Sequence, residues 1–104
     1  MIILNTTFHI HCALRNDLLT WLKEVYTPAA VESGLMSKPR TARVLGGKAD
    51  DVDGCSIACQ LEAESLATAR RWHDSEGAKL RAEALRIFGT QKLAFFTTYL
   101  QVCE

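Results

Sequence analysis

Two kinds of periodicity take turns along this chain, and their order constrains the fold more than any other feature. Over residues 2–10 the sequence alternates. Ile2, Leu4, Phe8 and Ile10 point one way; Ile3, Asn5, Thr7, His9 and His11 point the other. Period two over that length specifies a strand. The next segment repeats every three or four residues: Leu14, Leu18, Leu22, Val25 and Ala29 make the apolar stripe of a helix, flanked by Trp21. Either Ala13 or Asn16 can open it. Pro28 should kink it or start a second short segment, because proline lacks a backbone donor and clashes with the preceding turn. Gly34 is a natural stop. Residues 40–45 read as a second strand, entered through Ser37-Lys38-Pro39, and residues 46–54 as a polar, glycine-flanked turn. Residues 55–63 alternate again, with Cys55, Ile57, Cys59, Leu61 and Ala63 on one side. Ser65 is placed to cap a second helix through Leu66, Ala69, Trp72 or His73, Glu76, Leu80, Ala84 and Ile87, with a break expected near Glu76-Gly77 and an end at Gly89. Residues 92–102 form the last strand.

The order strand, helix, strand, strand, helix, strand specifies a ferredoxin-like α+β domain, βαββαβ. Its four-stranded antiparallel sheet carries both helices on one face. The 104 residues leave room for that single domain, 1–104, and no second one. With 48% hydrophobic and 23% charged residues the composition is that of a globular protein. Twelve basic residues balance twelve acidic ones, which argues against binding to nucleic acid or a membrane surface, since both rely on excess Lys and Arg. The start, Met1-Ile-Ile-Leu-Asn5, lacks the basic region of a signal peptide, and no stretch approaches the roughly 20 apolar residues of a membrane span. The cytoplasm is the expected location.

One sheet face is expected to lie under the helices: Leu4, Phe8, Ile10, Val44, Ile57, Cys59, Leu61, Phe96 and Leu100. The other is mixed, with Ile3, Asn5, Thr7, His9, Arg43, Leu45, Ala58, Gln60, Phe95, Thr97 and Tyr99. A face meant for water would not collect Ile3, Leu45, Phe95 and Tyr99. A dry core would not collect Asn5, His9, Arg43 and Gln60, because each unpaired buried polar group costs about 1–3 kcal/mol. The compromise is a homodimer that packs two such faces into a barrel and encloses a partly polar space.

The chemistry available is modest. Cys12, Cys55, Cys59 and Cys103 contain no C-x-x-C; Cys55 and Cys59 on one strand stand about 13 Å apart, too far to share a zinc. Reduced thiols packing as small hydrophobes are expected. His9 and His11 lie two apart on one strand face, with Glu62 or Cys12 as conceivable third metal ligands, but the spacing supports neither, and no metal is assigned. Asp50, Asp51 and Asp53 lack the EF-hand spacing and its closing Glu. No phosphate loop and no G-x-S-x-G occurs, so no cofactor is implied. His73 reads as a surface residue or helix-edge contact. Arg70, Arg71, Lys79 and Arg81, interleaved with Glu64, Asp74, Glu76 and Glu83, read as a solvated, charge-paired helix face. The sharper constellation is His9 with Asn5, Arg43, Gln60 and Tyr99. A near-neutral histidine moves protons, an arginine holds an anion, and amides orient a carbonyl. These five are the candidate ligand-binding residues, with His9 as candidate proton carrier. The same residues also suit a polar network at the dimer interface.

The run Ile3-Leu4-Asn5-Thr6-Thr7-Phe8, followed by Trp21-Leu22-Lys23-Glu24, Pro28, Ser33-Gly34-Leu35 and Phe95-Phe96-Thr97-Thr98, resembles a family of short bacterial proteins of unknown function, DUF4286. Where its members carry His-x-Pro, this chain has Tyr26-Thr27-Pro28. The resemblance implies a dimeric α/β-barrel fold and brings no activity or catalytic residue. The expected function is a homodimeric structural or small-ligand-binding module. The alternative is a small cofactor-independent enzyme, monooxygenase- or isomerase-like, with its pocket in the dimer barrel.

Overall fold

The computed structural model describes residues 1–45 and 54–103. Strand β1 (Ile2–His11) runs through a short 3-10 turn, Cys12–Leu14, into α1 (Arg15–Trp21). A π-helical turn, Leu22–Tyr26, joins α1 to α2 (Thr27–Glu32). Strands β2 (Ser37–Arg43) and β3 (Gly54–Ala63) follow. Next come α3 (Leu66–Trp72), a second π turn (His73–Gly77), α4 (Ala78–Phe88) and β4 (Leu93–Gln101). All strand pairings are antiparallel, in the order β2-β3-β1-β4. The fold is the ferredoxin-like βαββαβ. The turn at residues 46–53, with Asp50, Asp51 and Asp53, lies outside the described residues.

Each helical arm starts and stops for local reasons. The Ser65 hydroxyl accepts from the Thr68 amide and caps α3. Gly34 and Gly89 adopt φ of +77° and +91° just past the two arms, where a side chain would be strained. Pro28 starts the second short segment, α2. It sits in the first turn of α2, where its missing donor costs nothing, and the π turn before it absorbs the change of phase. Near Gly77 the expected break is likewise a π turn within a continuous arm.

The core fills the space between sheet and arms. Leu4, Phe8, Ile10, Ile57, Cys59 and Leu61 from the sheet meet Leu18, Leu22, Tyr26, Ala30, Ala69, Trp72 and Ala84, all buried. Tyr26 lies at the centre of an aromatic group, with ring centroids 5.5 Å from Trp72, 5.6 Å from Trp21 and 5.7 Å from Phe8. Such pairs add about 0.5–1.5 kcal/mol each beyond area burial.

Two strands lie with the opposite parity from that expected. Directly opposed residues of an antiparallel pair share a face. In β4, Leu93, Phe95, Thr97 and Tyr99 oppose Ile10, Phe8, Thr6 and Leu4 and so lie under the helices. Phe96 and Leu100, expected there, oppose Thr7 and Ile3 on the open face. In β2, Arg43 opposes Ile57 on the helix side, whereas Arg40 opposes Gln60 and Ala42 opposes Ala58 on the open face. A register shift between Ser37 and Arg40, with Lys38 at φ +48°, sets this phase. Val44 donates its amide to the Ser56 carbonyl, in line with an open-face residue rather than the core.

Candidate functional site

The described residues that carry chemistry fall into two places, one on each side of the sheet. The open face has small and polar residues in its middle rows. Across the strands run Arg40, Gln60, Asn5 and Thr98, then Ala42, Ala58, Thr7 and Phe96, then Ser56, His9 and Ala94. His9 lies here as expected; its Nδ1 is 2.9 Å from Ser56 Oγ and its ring lies over Gly54, which has no Cβ to obstruct it. Asn5 and Gln60 are direct cross-strand partners. Asn5 donates its side-chain amide to Thr7 Oγ1, while its buried Oδ1 meets no hydrogen-bond partner. Phe96 is 62% exposed and Leu100 39% exposed on this same face. A cleft of about 330 Å³ opens at its β2–β3 edge, lined by Ile3, Lys38, Pro39, Arg40, Gln60 and Glu62 among others.

Of the five residues expected to converge, the structure therefore brings together Asn5, His9 and Gln60. Arg43 and Tyr99 are on the other side, for the parity reasons given, and Arg40 takes the place foreseen for Arg43. His11 accepts a hydrogen bond from the Ala13 amide at Nδ1, just as His9 engages Ser56, so each histidine commits one ring nitrogen locally. Among the described residues no three His, Cys, Asp or Glu side chains cluster in a metal-binding arrangement.

The second place lies under the helices and centres on residues read differently from the sequence. His73 is buried, 7% exposed, rather than at the surface. Arg81 Nη1 stands 2.8 Å from His73 Nδ1. A guanidinium has no acceptor, so it donates, and Nδ1 carries no proton. The imidazole is therefore neutral, with its hydrogen on Nε2. Burial, and then the Arg81 charge, push the His73 pKa down to about 4, against a smaller opposing pull from Asp74. Arg81 also lies over the Phe95 ring at 6.0 Å, so it belongs to this interior cluster and not to a solvated face. Tyr99 packs edge-on against His73 with centroids 5.9 Å apart and takes the Arg70 guanidinium over its ring at 5.6 Å. Burial, and then the nearby Asp74 charge, raise its pKa. Two charge pairs on this arm lie toward solvent: Lys79–Glu76 at 3.6 Å, between expected residues, and Arg86–Glu83 at 3.9 Å, where Arg86 is not among them.

Tyr26 and Thr6 complete this interior group. Thr6 Oγ1 is 3.1 Å from Thr97 Oγ1 across β1 and β4. The Tyr26 hydroxyl is buried without a partner in hydrogen-bonding geometry, although Thr6 and Arg81 are close enough to act on it. Its pKa is pushed up to about 12, chiefly by burial and further by Cys59, itself pushed up to about 12 by burial. The indole donors of Trp21 and Trp72 are also buried and unpartnered. Tyr26 closes one π turn and His73 opens the other. Such turns redirect side chains and often mark functional positions. The available sequence signal was the central position of His73 on the apolar stripe beside Trp72, where a charged histidine would be costly.

A two-layer α+β domain with one sheet face under the helices and the other open is a fold shared with several solved proteins. Residues 1–103 match the model of the domain of unknown function DUF4286, and the chain belongs to that family. Solved structures with this fold include a candidate antibiotic-biosynthesis monooxygenase of Deinococcus radiodurans (TM-score 0.67, 12% identity, covering 100% of this chain and 94% of that one). A dimeric ferredoxin-like protein from an uncultured marine organism gives a TM-score of 0.64 at 11% identity, covering 100% and 96% of the two chains. The ActVA-Orf6 monooxygenase of Streptomyces coelicolor, solved with nanaomycin D, gives 0.62 at 12% identity over 99% and 89%. At these identities the likeness establishes the fold. No curated protein matches the sequence. Among the described residues no helix is long and apolar enough to cross a membrane.

Proposed function

We propose that this chain is a homodimeric small-ligand-binding module whose two copies pair through the open sheet faces. The observation that carries the reading is Phe96, 62% exposed on a face it shares with Ile3 and Leu100. Covering large apolar groups contributes about 25 cal/mol per Å², and a second copy covers the whole patch at once. The central residues are small enough to leave space between two such faces. Asn5, His9 and Gln60 line it, the unpartnered Asn5 Oδ1 awaits a donor, and Arg40 with Lys38 at the edge cleft favours an anionic group. Native mass spectrometry of the purified protein tests this. The expected mass is twice 11.6 kDa, plus any retained ligand, and Phe96→Asp should give the single-chain mass with an unchanged circular dichroism spectrum. A monomeric wild type at micromolar concentration would overturn the reading.

A second reading is favoured by the interior cluster of Tyr26, His73 and Arg81 at the two π turns. It makes the protein a cofactor-independent, monooxygenase-like enzyme. Trp21 and Trp72 provide the reporter. Saturable quenching of their fluorescence by nanaomycin D, lost in Arg81→Leu, supports this reading, and absence of quenching at millimolar ligand refutes it for that ligand.

A further inference from the structure

We propose that Cys12 and Cys55 form a peroxide-driven intramolecular disulfide. The Sγ atoms stand 2.7 Å apart, although the two residues are 43 positions apart in the chain. That separation is well under 1 Å longer than the disulfide bond length of about 2.05 Å, so bond formation needs only a small side-chain adjustment. The sheet places the pair. Cys55 opposes Ile10 in the β1–β3 ladder, and Cys12 begins the turn that leaves β1. The two thiols differ in access. Cys55 is 1% exposed, whereas Cys12 is half-buried and can be reached from solvent. Cys12 is therefore the attacking sulfur and Cys55 the resolving one. Cys59 is equally buried on the same strand, but burial raises its pKa to about 12 and suppresses its thiolate.

The oxidant is a hydroperoxide. The Cys12 thiolate attacks the terminal peroxide oxygen; an S–O bond forms, the O–O bond breaks, and the departing oxygen takes up a proton. With hydrogen peroxide the products are water and the Cys12 sulfenic acid. The Cys55 sulfur then attacks the Cys12 sulfur. The S–S bond forms, the S–O bond breaks, and the hydroxyl leaves as a second water with the Cys55 proton. The thiols lose two electrons and two protons in total, and the peroxide is reduced. The product ties the end of β1 to the start of β3 and closes a long loop containing the whole first helical arm and β2. The unfolded chain loses freedom accordingly.

The test treats the full-length protein with one to five equivalents of hydrogen peroxide, blocks remaining thiols under denaturing conditions, and maps peptides by mass. The expected result is a Cys12–Cys55 linked peptide at the lowest dose, reversed by dithiothreitol, with Cys59 still alkylated. The thermal midpoint of the oxidised protein should rise by about 10 °C. Cys12→Ser should abolish the linked peptide and the rise in midpoint while leaving the reduced protein's midpoint nearly unchanged. Cys55→Ser should trap the Cys12 sulfenic acid, captured by dimedone. If that variant fails to fold, the wild-type peptide map alone decides. Conversion of Cys12 to sulfinic acid, preferential pairing of Cys12 with Cys103, or oxidation of Cys103 alone would each overturn the proposal.

Discussion

The neutral, buried His73 makes the protein's stability depend on pH in a direction that can be worked out beforehand. The folded-state pKa, about 4, lies below the ordinary histidine value of 6.5. Between these values the unfolded chain binds a proton that the folded chain refuses. His73 therefore contributes nothing adverse above pH 6.5; stability is lost as pH falls from 6.5 toward 4 and levels off below that. Linkage between those two values makes folding at about pH 5 weaker by about 2 kcal/mol than at about pH 7.5. Water near the exposed Asp74 screens part of the Arg81 repulsion, so about 1–2 kcal/mol is expected. The assay is urea unfolding of wild type and His73→Asn across that range at fixed protein concentration. The asparagine oxygen stands where Nδ1 stood and still accepts from Arg81, but does not titrate. Subtracting the two curves removes every other ionisable group. The difference should favour the variant progressively as pH falls through 6, and the His73 ring should show no protonation by NMR until below pH 5. A flat difference, or a ring titrating near 6.5, would mean that Arg81 does not donate to His73 in a closed core.

Other substitutions probe separate links of the argument. Tyr26→Phe removes a buried hydroxyl with no partner and keeps the aromatic contacts, so chemical denaturation should register a change within about 1 kcal/mol, with a gain as acceptable as a loss; a penalty above about 2 kcal/mol would reveal a bond to Thr6 or Arg81. Trp72→Ala empties a fully buried site against Tyr26 and should cost about 3–5 kcal/mol by the same measurement. Gly54→Ala places a Cβ within 2.6 Å of His9 Cε1 and closer still to Nε2. The exposed ring swings away from Ser56 with under about 1 kcal/mol of lost stability, and the His9 ring resonances should move. Unmoved resonances would show that the ring never rested on Gly54.

The residues that made the fold legible are those with one strongly preferred face. β1 and β3 alternate cleanly, and their registers follow from Leu4, Phe8, Ile57 and Leu61 alone. β4 offers no such choice. Leu93, Phe95, Thr97 and Tyr99 are about as apolar as Ala94, Phe96, Thr98 and Leu100, so periodicity identifies the strand and leaves its parity open. The packing resolves it, with Phe95 against Phe8 at 5.8 Å and Tyr99 against His73. In β2 the register shift beside Pro39 moves Arg40 to the face expected for Arg43, and the one unusual backbone angle there, at Lys38, cannot be foreseen from residue types. The candidate site divided accordingly. Asn5, His9 and Gln60 rest on well-phased strands and come together, whereas Arg43 and Tyr99 rest on the two ambiguous ones. His73 and Arg81 were obscured because charged neighbours on one helix suggest a wet surface until the tertiary contacts are known.

Both helical arms contain a π turn, and each such turn accommodates one residue more than a regular helix of the same span. Removing a residue from within residues 22–26 or 73–77 would restore regular winding and leave the segments on either side in phase. The flanking helical segments could still pack, but Tyr26 or His73 would no longer look inward. Among chains of this architecture, a one-residue length difference at these positions would thus decide whether the interior polar group exists at all, with the scaffold itself preserved.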